Sequence, residues 1–283
     1  MADDPRELTL TDDQTGATAV IAPARGGLVT RFDVGDRRIL FMDDATLRDP
    51  SKNVRGGVPV LFPSPGKLAG DTWAYAGNTG ALGQHGFARN LAWRVEHAGA
   101  AAATLALTAN AETRARFPWE FAVEQTFTLR GMTLRLEQRV TNRDTTAMPF
   151  GFGFHPYFFV PDAAKRATTI ATRATRAFDN VAKQTIALPA APGAGPAIDL
   201  TRPEVDLHLL DHGSTASELA SPGGTVQLRG SAEYTHWVVW TLAGRDFVCL
   251  EPWTCPGNAL NTGDRLIVLA PGESRAMWLE IIA

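Results

Sequence analysis

Cysteine is nearly absent from this chain: Cys249 and Cys255 are the only two in 283 residues. They stand too close together, in a proline-containing stretch, to suggest a disulfide framework. No CxxC or Cys/His spacing accompanies them to offer a zinc site. An excess of charge of one sign is missing as well. Lys and Arg number 27 against 30 Asp and Glu, a formal net charge of −3, and there is no basic stripe of the kind that nucleic-acid binders carry. The densest basic group, Lys165, Arg166, Arg173 and Arg176, is diluted by Ala and Thr and reads as a solvated loop or edge. No apolar run reaches membrane-spanning length, and the opening MADDPRELTL has neither a basic n-region nor an apolar h-region. These absences predict a soluble, cytoplasmic protein with neither nucleic-acid nor membrane partner. Cofactor signatures are missing too: there is no GxxxxGK[ST], no GxGxxG ahead of a helix, no HExxH and no GxSxG. His208 and His212 have a spacing that would suit a metal only on a helix, and in a β-rich neighbourhood they read as ordinary surface histidines. No metal and no cofactor are expected.

What is present is alternation. With 45% hydrophobic residues, a chain of this length buries roughly 75% of its unfolded surface and needs no staples. Phe121, Val123, Phe127 and Leu129 alternate with Glu124, Thr126, Thr128 and Arg130. After Gly131, Leu134, Leu136 and Val140 alternate with Arg135, Glu137 and Arg139. This period of two predicts two amphipathic strands joined by a tight turn. Further short strands are expected at 103–109, 225–229, 236–242, 246–251, 265–270 and 275–282, the last two flanking the turn sequence Ala270-Pro271-Gly272-Glu273. The best helical candidate, 162–177, is Ala-rich but weakened by Thr168, Thr169, Thr172 and Thr175. The stretch Ala187–Pro203, with four prolines and two glycines, reads as a long surface loop rather than a linker. Many short strands with few helices predict an all-β fold, a sandwich or barrel, over residues 1–283 as one domain.

Four segments place polar groups in apolar, aromatic surroundings. Arg55 opens the otherwise apolar RGGVPVLFP, where it pairs with a structural carboxylate or aims a guanidinium fork at ligand oxygens. His85 lies beside Gly86, with Arg89 close behind. His155 is flanked by aromatics and followed by Pro156, which biases it to extended backbone; such surroundings depress an imidazole's pKa by desolvation. In the segment 246–253, Phe247, Cys249 and Glu251 share one face of a strand and Val248 and Leu250 the other. Both faces are apolar, so a central strand is expected. A carboxylate there is either ion-paired or a poised base with a raised pKa. Together with the aromatic faces of Trp73, Phe87, Tyr157 and Trp253, these groups suggest a carbohydrate site.

Four stretches in this order, RGGVPVLFPSPGKL at 55–68, QHGFARN at 84–90, PFGFGFHPYF at 149–158 and VCLEPWTCPGNALNTGD at 248–264, resemble the aldose 1-epimerase (galactose mutarotase-like) family. The resemblance spans most of the chain and implies a large antiparallel β-sandwich. It also implies that a small-molecule sugar is the partner. By position, Glu251 matches the family's general base and His155 its general acid. His85 matches a second histidine that polarises the sugar near its ring oxygen, and Arg55 an arginine that binds sugar oxygens. A substrate-binding aspartate is expected between HPYF and EPW; Asp206 fits best, with Asp211 the alternative. Trp253 supplies an aromatic wall. A related branch acts on hexose 6-phosphates, where Arg89, with Arg55 or Lys67, would receive the phosphate. The implied activity is therefore anomer interconversion of a free hexose, with a hexose 6-phosphate mutarotase or a non-catalytic sugar sensor as alternatives.

Overall fold

A computed structural model of the chain describes residues 7–191, 195–196 and 198–283. Two large sheets dominate it. One contains eight strands in the spatial order Thr169–Ala171, Ala216–Ser221, Gly224–Gly230, Ser274–Ile282, Thr133–Asn142, Phe121–Arg130, Ala102–Thr108 and Arg94–Ala98. The other runs Gln184–Ala187, Arg176–Asp179, Glu204–Leu209, His236–Leu242, Phe247–Trp253, Gly153–Phe154 and Val60–Leu61, with Tyr157–Phe159 also paired to Phe247–Trp253. Pairing within both sheets is antiparallel, and a four-stranded sheet over residues 8–38 flanks them. The architecture is a large antiparallel β-sandwich, as the alternation and the resemblance predict.

The hairpin expected around Gly131 is present. Phe121–Arg130 pairs with Thr133–Asn142 so that Phe127 faces Leu136 and Val123 faces Val140, and Gly131 takes the left-handed φ of +56° that the turn requires. Inward side chains from both sheets share one core cluster: Phe127, Leu134, Leu136, Leu279 and Ile281 from the first, and Val205, Leu207, Trp237, Val239 and Leu250 from the second.

Two expectations need correction. Residues 162–177 are not one helix: a 3-10 turn covers Asp162–Ala167 and strands follow at Thr169–Ala171 and Arg176–Asp179. The β-branched threonines that weaken a helix suit these strands. Lys165 is not solvated either. It is buried, its Nζ donating to Leu242 O at 2.6 Å and paired with Asp162 Oδ1 at 2.9 Å, whereas Arg166, Arg173 and Arg176 are exposed. Within the Ala187–Pro203 stretch, Ala190–Ala191 pairs with Gly195–Pro196, while residues 192–194 and 197 lie outside the described residues.

Candidate active site

Strand periodicity builds the site. Along Glu204–Leu209, the residues Val205, Leu207 and Leu209 turn into the core, which leaves Glu204, Asp206 and His208 on the opposite face. Neighbouring strands present His236, Val238 and Trp240, then Glu251 and Trp253, to that same face. These residues line a cavity of about 570 Å³. Loops close its rim with Arg55, Lys67, His85, Arg89 and His155. Of the residues singled out from the sequence, Arg55, Lys67, His85, Arg89, His155, Tyr157, Asp206, Glu251 and Trp253 therefore meet at one cavity.

Strand register explains how His155 and Glu251 come together. Gly153 pairs with Trp253 and Tyr157 with Cys249, which sets His155 opposite Glu251. Pro156 has no N–H to continue the ladder, so the paired segment is split into two short strands with His155 at the break. His155 Nε2 lies 3.3 Å from Glu251 Oε1. The other carboxylate oxygen accepts from Trp253 Nε1 at 3.2 Å. Tyr157 stacks on the imidazole, centroids 4.7 Å apart at 13°, and Trp240 meets it edge-on at 5.6 Å. Both partners are buried. Desolvation, helped by the positive charges of Arg89 and Arg55, lowers His155 to about 3. Desolvation and the nearby Asp206 raise Glu251 well above the usual carboxylate range. Burial thus favours the uncharged form of each group.

His85 is set by backbone geometry. Its φ is +69°, in the left-handed region, and its N–H donates to Gly66 O at 2.7 Å. In return Gly66 N–H donates to His85 Nδ1 at 3.0 Å, so the neutral ring carries its proton on Nε2. Burial and the charges of Arg89, His155 and His208 hold its pKa well below 6.5, which makes His85 a hydrogen-bond donor rather than a cation. Gly86 permits this arrangement: a Cβ there would stand 2.2 Å from Phe62 O.

Of the two aspartates, Asp206 lines the cavity, its Oδ2 accepting from Asn180 Nδ2 at 2.7 Å. Asp211 instead ties down residues 175–176 through Thr175 N, Thr175 Oγ1 and Arg176 N. Arg55 places its guanidinium 5.9 Å from the Trp240 ring centroid. Arg89 donates from Nη2 to Gln84 O at 2.9 Å, and its buried Nε has no partner. Neither arginine, nor Lys67, forms an ion pair with a carboxylate among the described residues.

The aromatic wall differs from expectation. Tyr157 and Trp253 line the cavity, but Trp73 and Phe87 belong to the core, Trp73 donating to Arg116 O at 3.1 Å. Trp240 takes their place, with its Nε1 bonded to Glu204 Oε1 at 3.1 Å. The histidines at 208 and 212 are not surface residues. His208 lines the cavity, and His212 is buried between Thr172 Oγ1 and Ala216 O. His236 also reaches the cavity. The alternation of Glu204, Asp206 and His208 with Val205, Leu207 and Leu209 is the sequence signal that marks this strand and its polar face.

Cys249 Sγ completes a set with His155 and Glu251 whose ligand atoms lie within 4.8 Å of one another. Burial raises the thiol well above its ordinary value, and a protonated sulfur is a poor metal ligand. Among the described residues no helix is long and apolar enough to cross a membrane.

Known proteins resemble this chain to different degrees. A Synechocystis protein of known crystal structure superposes with a TM-score of 0.92 at 37% identity, over 98% of this chain and 95% of that one. Protein LacX of Lactococcus lactis is 26% identical over 239 residues, 75% of this chain and 78% of LacX. An Escherichia coli protein named "Putative glucose-6-phosphate 1-epimerase" is 34% identical over 140 residues, 46% of this chain and 41% of its own. The family model described as aldose 1-epimerase matches residues 6–281, so this chain belongs to the aldose 1-epimerase family.

Proposed function

We propose that the chain is a mutarotase, interconverting the α and β anomers of a hexose by general acid–base catalysis. The observation that carries this reading is the direct contact of His155 Nε2 and Glu251 Oε1 on the wall of a sugar-sized cavity. Ring opening removes the proton from O1 while O5 gains one, and the two oxygens sit on the same carbon. An acid and a base that serve them together must therefore be neighbours. Glu251 takes the O1 proton and His155 delivers one to O5. Rotation about C1–C2 turns the other aldehyde face, and the reverse transfers close the ring. Each such group contributes about 10²- to 10⁴-fold.

These roles start from imidazolium and carboxylate, whereas desolvation favours imidazole and carboxylic acid, so the reactive ion pair is the less populated protonation state of the unliganded site. His85 Nε2–H, as a neutral donor, would steady the ring oxygen, while Asp206 accepts from sugar hydroxyls. Trp253 and Trp240 offer faces for the sugar's C–H groups.

A second reading, a hexose 6-phosphate as substrate, is favoured by Arg55, Lys67 and Arg89, three cavity cations without carboxylate partners among the described residues. Unneutralised cations are suited to an anion. Anomer exchange by NMR or polarimetry tests both readings, with fresh α-glucose, α-galactose and glucose 6-phosphate against the spontaneous rate. Acceleration supports catalysis, and the fastest substrate selects between the readings. Binding without acceleration would make the chain a sugar sensor.

A further inference from the structure

Behind Asp206 lies a chain of side chains that the reaction as described does not use. Arg265 Nη2 is 3.3 Å from His236 Nδ1. His236 Nε2 is 2.9 Å from His208 Nδ1, and His208 Nε2 is 3.6 Å from Asp206 Oδ1. The last separation is a charge–dipole contact just beyond hydrogen-bonding range.

The direction of the chain follows from its first member. A guanidinium can only donate, so His236 Nδ1 must be a lone pair. A neutral His236 then carries its proton on Nε2 and donates to His208 Nδ1. That in turn leaves the proton of His208 on Nε2, aimed at the Asp206 carboxylate and the cavity. A proton added to either ring would set N–H against N–H, or N–H against guanidinium. Burial agrees, since it lowers both imidazoles below 6.5.

The chain is held in place at both ends. Arg265 adopts φ +52°, a left-handed conformation costly for a non-glycine residue, and its Nη1 reaches Thr235 O and Oγ1 at 3.4 Å. Asn180 fixes the other oxygen of Asp206. Both imidazoles also pack against Trp253, His236 at 5.6 Å and His208 at 5.4 Å between centroids.

We infer that Arg265, His236 and His208 form a positioning relay that orients Asp206 as a hydroxyl acceptor and presents His208 Nε2–H as an adjacent donor to the sugar. The inference rests on the mutarotase reading for its substrate, but the hydrogen-bond direction does not. Arg265 touches no sugar in this scheme; it acts through the two rings. Without it only the Asp206 carboxylate, 3.6 Å from His208 Nε2, opposes a reversal of His236 and His208, which would turn the His208 Nε2 lone pair towards that carboxylate and repel it.

The test has two arms. Ring ¹⁵N–¹H correlation spectra of the unliganded protein should show His208 and His236 as neutral Nε2–H tautomers, with one or both changing in Arg265→Ala and returning in Arg265→Lys. Anomer-exchange kinetics of Arg265→Ala, an exposed position, should show KM raised about fivefold to tenfold, the loss of about one hydrogen bond. The value of kcat should stay within about twofold, because the loss is in ground-state and transition-state binding alike. Nδ1–H tautomers in the wild type, or an unchanged KM in Arg265→Ala, would overturn the relay. A wild type that fails to accelerate anomer exchange would refute the mutarotase reading instead. In that case equilibrium binding of glucose and glucose 6-phosphate replaces KM, and equal affinity in wild type and Arg265→Ala would overturn the relay.

Discussion

His155 and Glu251 are cross-strand neighbours whose side chains touch at 3.3 Å, although 95 residues separate them in sequence. Their contact is a property of the ladder: the same register that pairs Gly153 with Trp253 fixes the imidazole against the carboxylate. The geometry of the proposed acid and base is thereby tied to Phe247–Trp253, a strand in which every residue is buried. A site built on strands is held more precisely than one built on loops.

Glu251→Gln tests the base directly. The amide has the size and shape of the carboxyl group but cannot take a proton, and its oxygen can still accept from Trp253 Nε1. Folding and sugar affinity should therefore be nearly unchanged, while turnover falls by about 10²- to 10⁴-fold. Polarimetry with α-glucose or glucose 6-phosphate reads the rate and calorimetry the affinity. Retained turnover would remove Glu251 from the mechanism.

Arg89→Gln distinguishes the two classes of substrate. The guanidinium has a single hydrogen bond, to Gln84 O, and no carboxylate partner among the described residues. If it receives a phosphate, kcat/KM for glucose 6-phosphate should fall about 10- to 100-fold, the worth of a charge-assisted hydrogen bond. Free glucose should change only a few-fold. Equal losses on both sugars would place Arg89 against a group that they share.

Arg25→Ala probes the support of Arg55. Arg25 donates to four backbone carbonyls, those of Leu47, Thr46, Asp49 and Lys52, at 2.9–3.1 Å. Thr46 Oγ1 in turn accepts from Arg55 N at 2.9 Å. Removing the guanidinium leaves these carbonyls to water and loosens the segment that carries Arg55. Stability should drop by about 1–3 kcal/mol, and KM should rise more than kcat falls. A thermal midpoint and KM both equal to wild type would show that the segment holds itself.

The fold was legible wherever one side of a strand faces the core and the other faces water, as in Phe121–Arg130 and Ser274–Ile282. Alternation there reports burial directly. It was also legible at Phe247–Trp253, where apolar residues on both faces indicate a central strand. The missed strand, Glu204–Leu209, alternates just as clearly, but its outward side chains face a cavity rather than solvent. Polarity alone does not separate those two environments. Aromatic character alone did not separate core from cavity: only the fold decides that Trp73 fills the core and Trp253 lines the cavity. The proposed relay from Arg265 to Asp206 needs contacts between two strands and a turn, which no local pattern encodes.

Acid should unfold the protein through its histidines. His85, His155, His212 and His236 are buried, His208 is half-buried, and all five have depressed pKa values, His155 down to about 3 from an ordinary 6.5. A histidine depressed on folding binds its proton more readily when unfolded. The stability it contributes is present above pH 6.5 and is lost as pH falls towards the folded value. Glu251 works in the opposite sense: its raised pKa favours the folded state below its ordinary 4.5, a contribution lost as pH rises. Five histidine protons outweigh that one, so stability should fall between pH 6.5 and pH 4.5. Each histidine fully titrating only when unfolded adds about 1.4 kcal/mol per pH unit to the slope. Urea midpoints measured across this range read that slope. His212→Gln, remote from the cavity, should make it shallower by about one proton. Midpoints that stay level or rise on acidification would mean that the imidazoles are hydrated and charged in the folded protein, which would also undo the neutral-donor role given to His85.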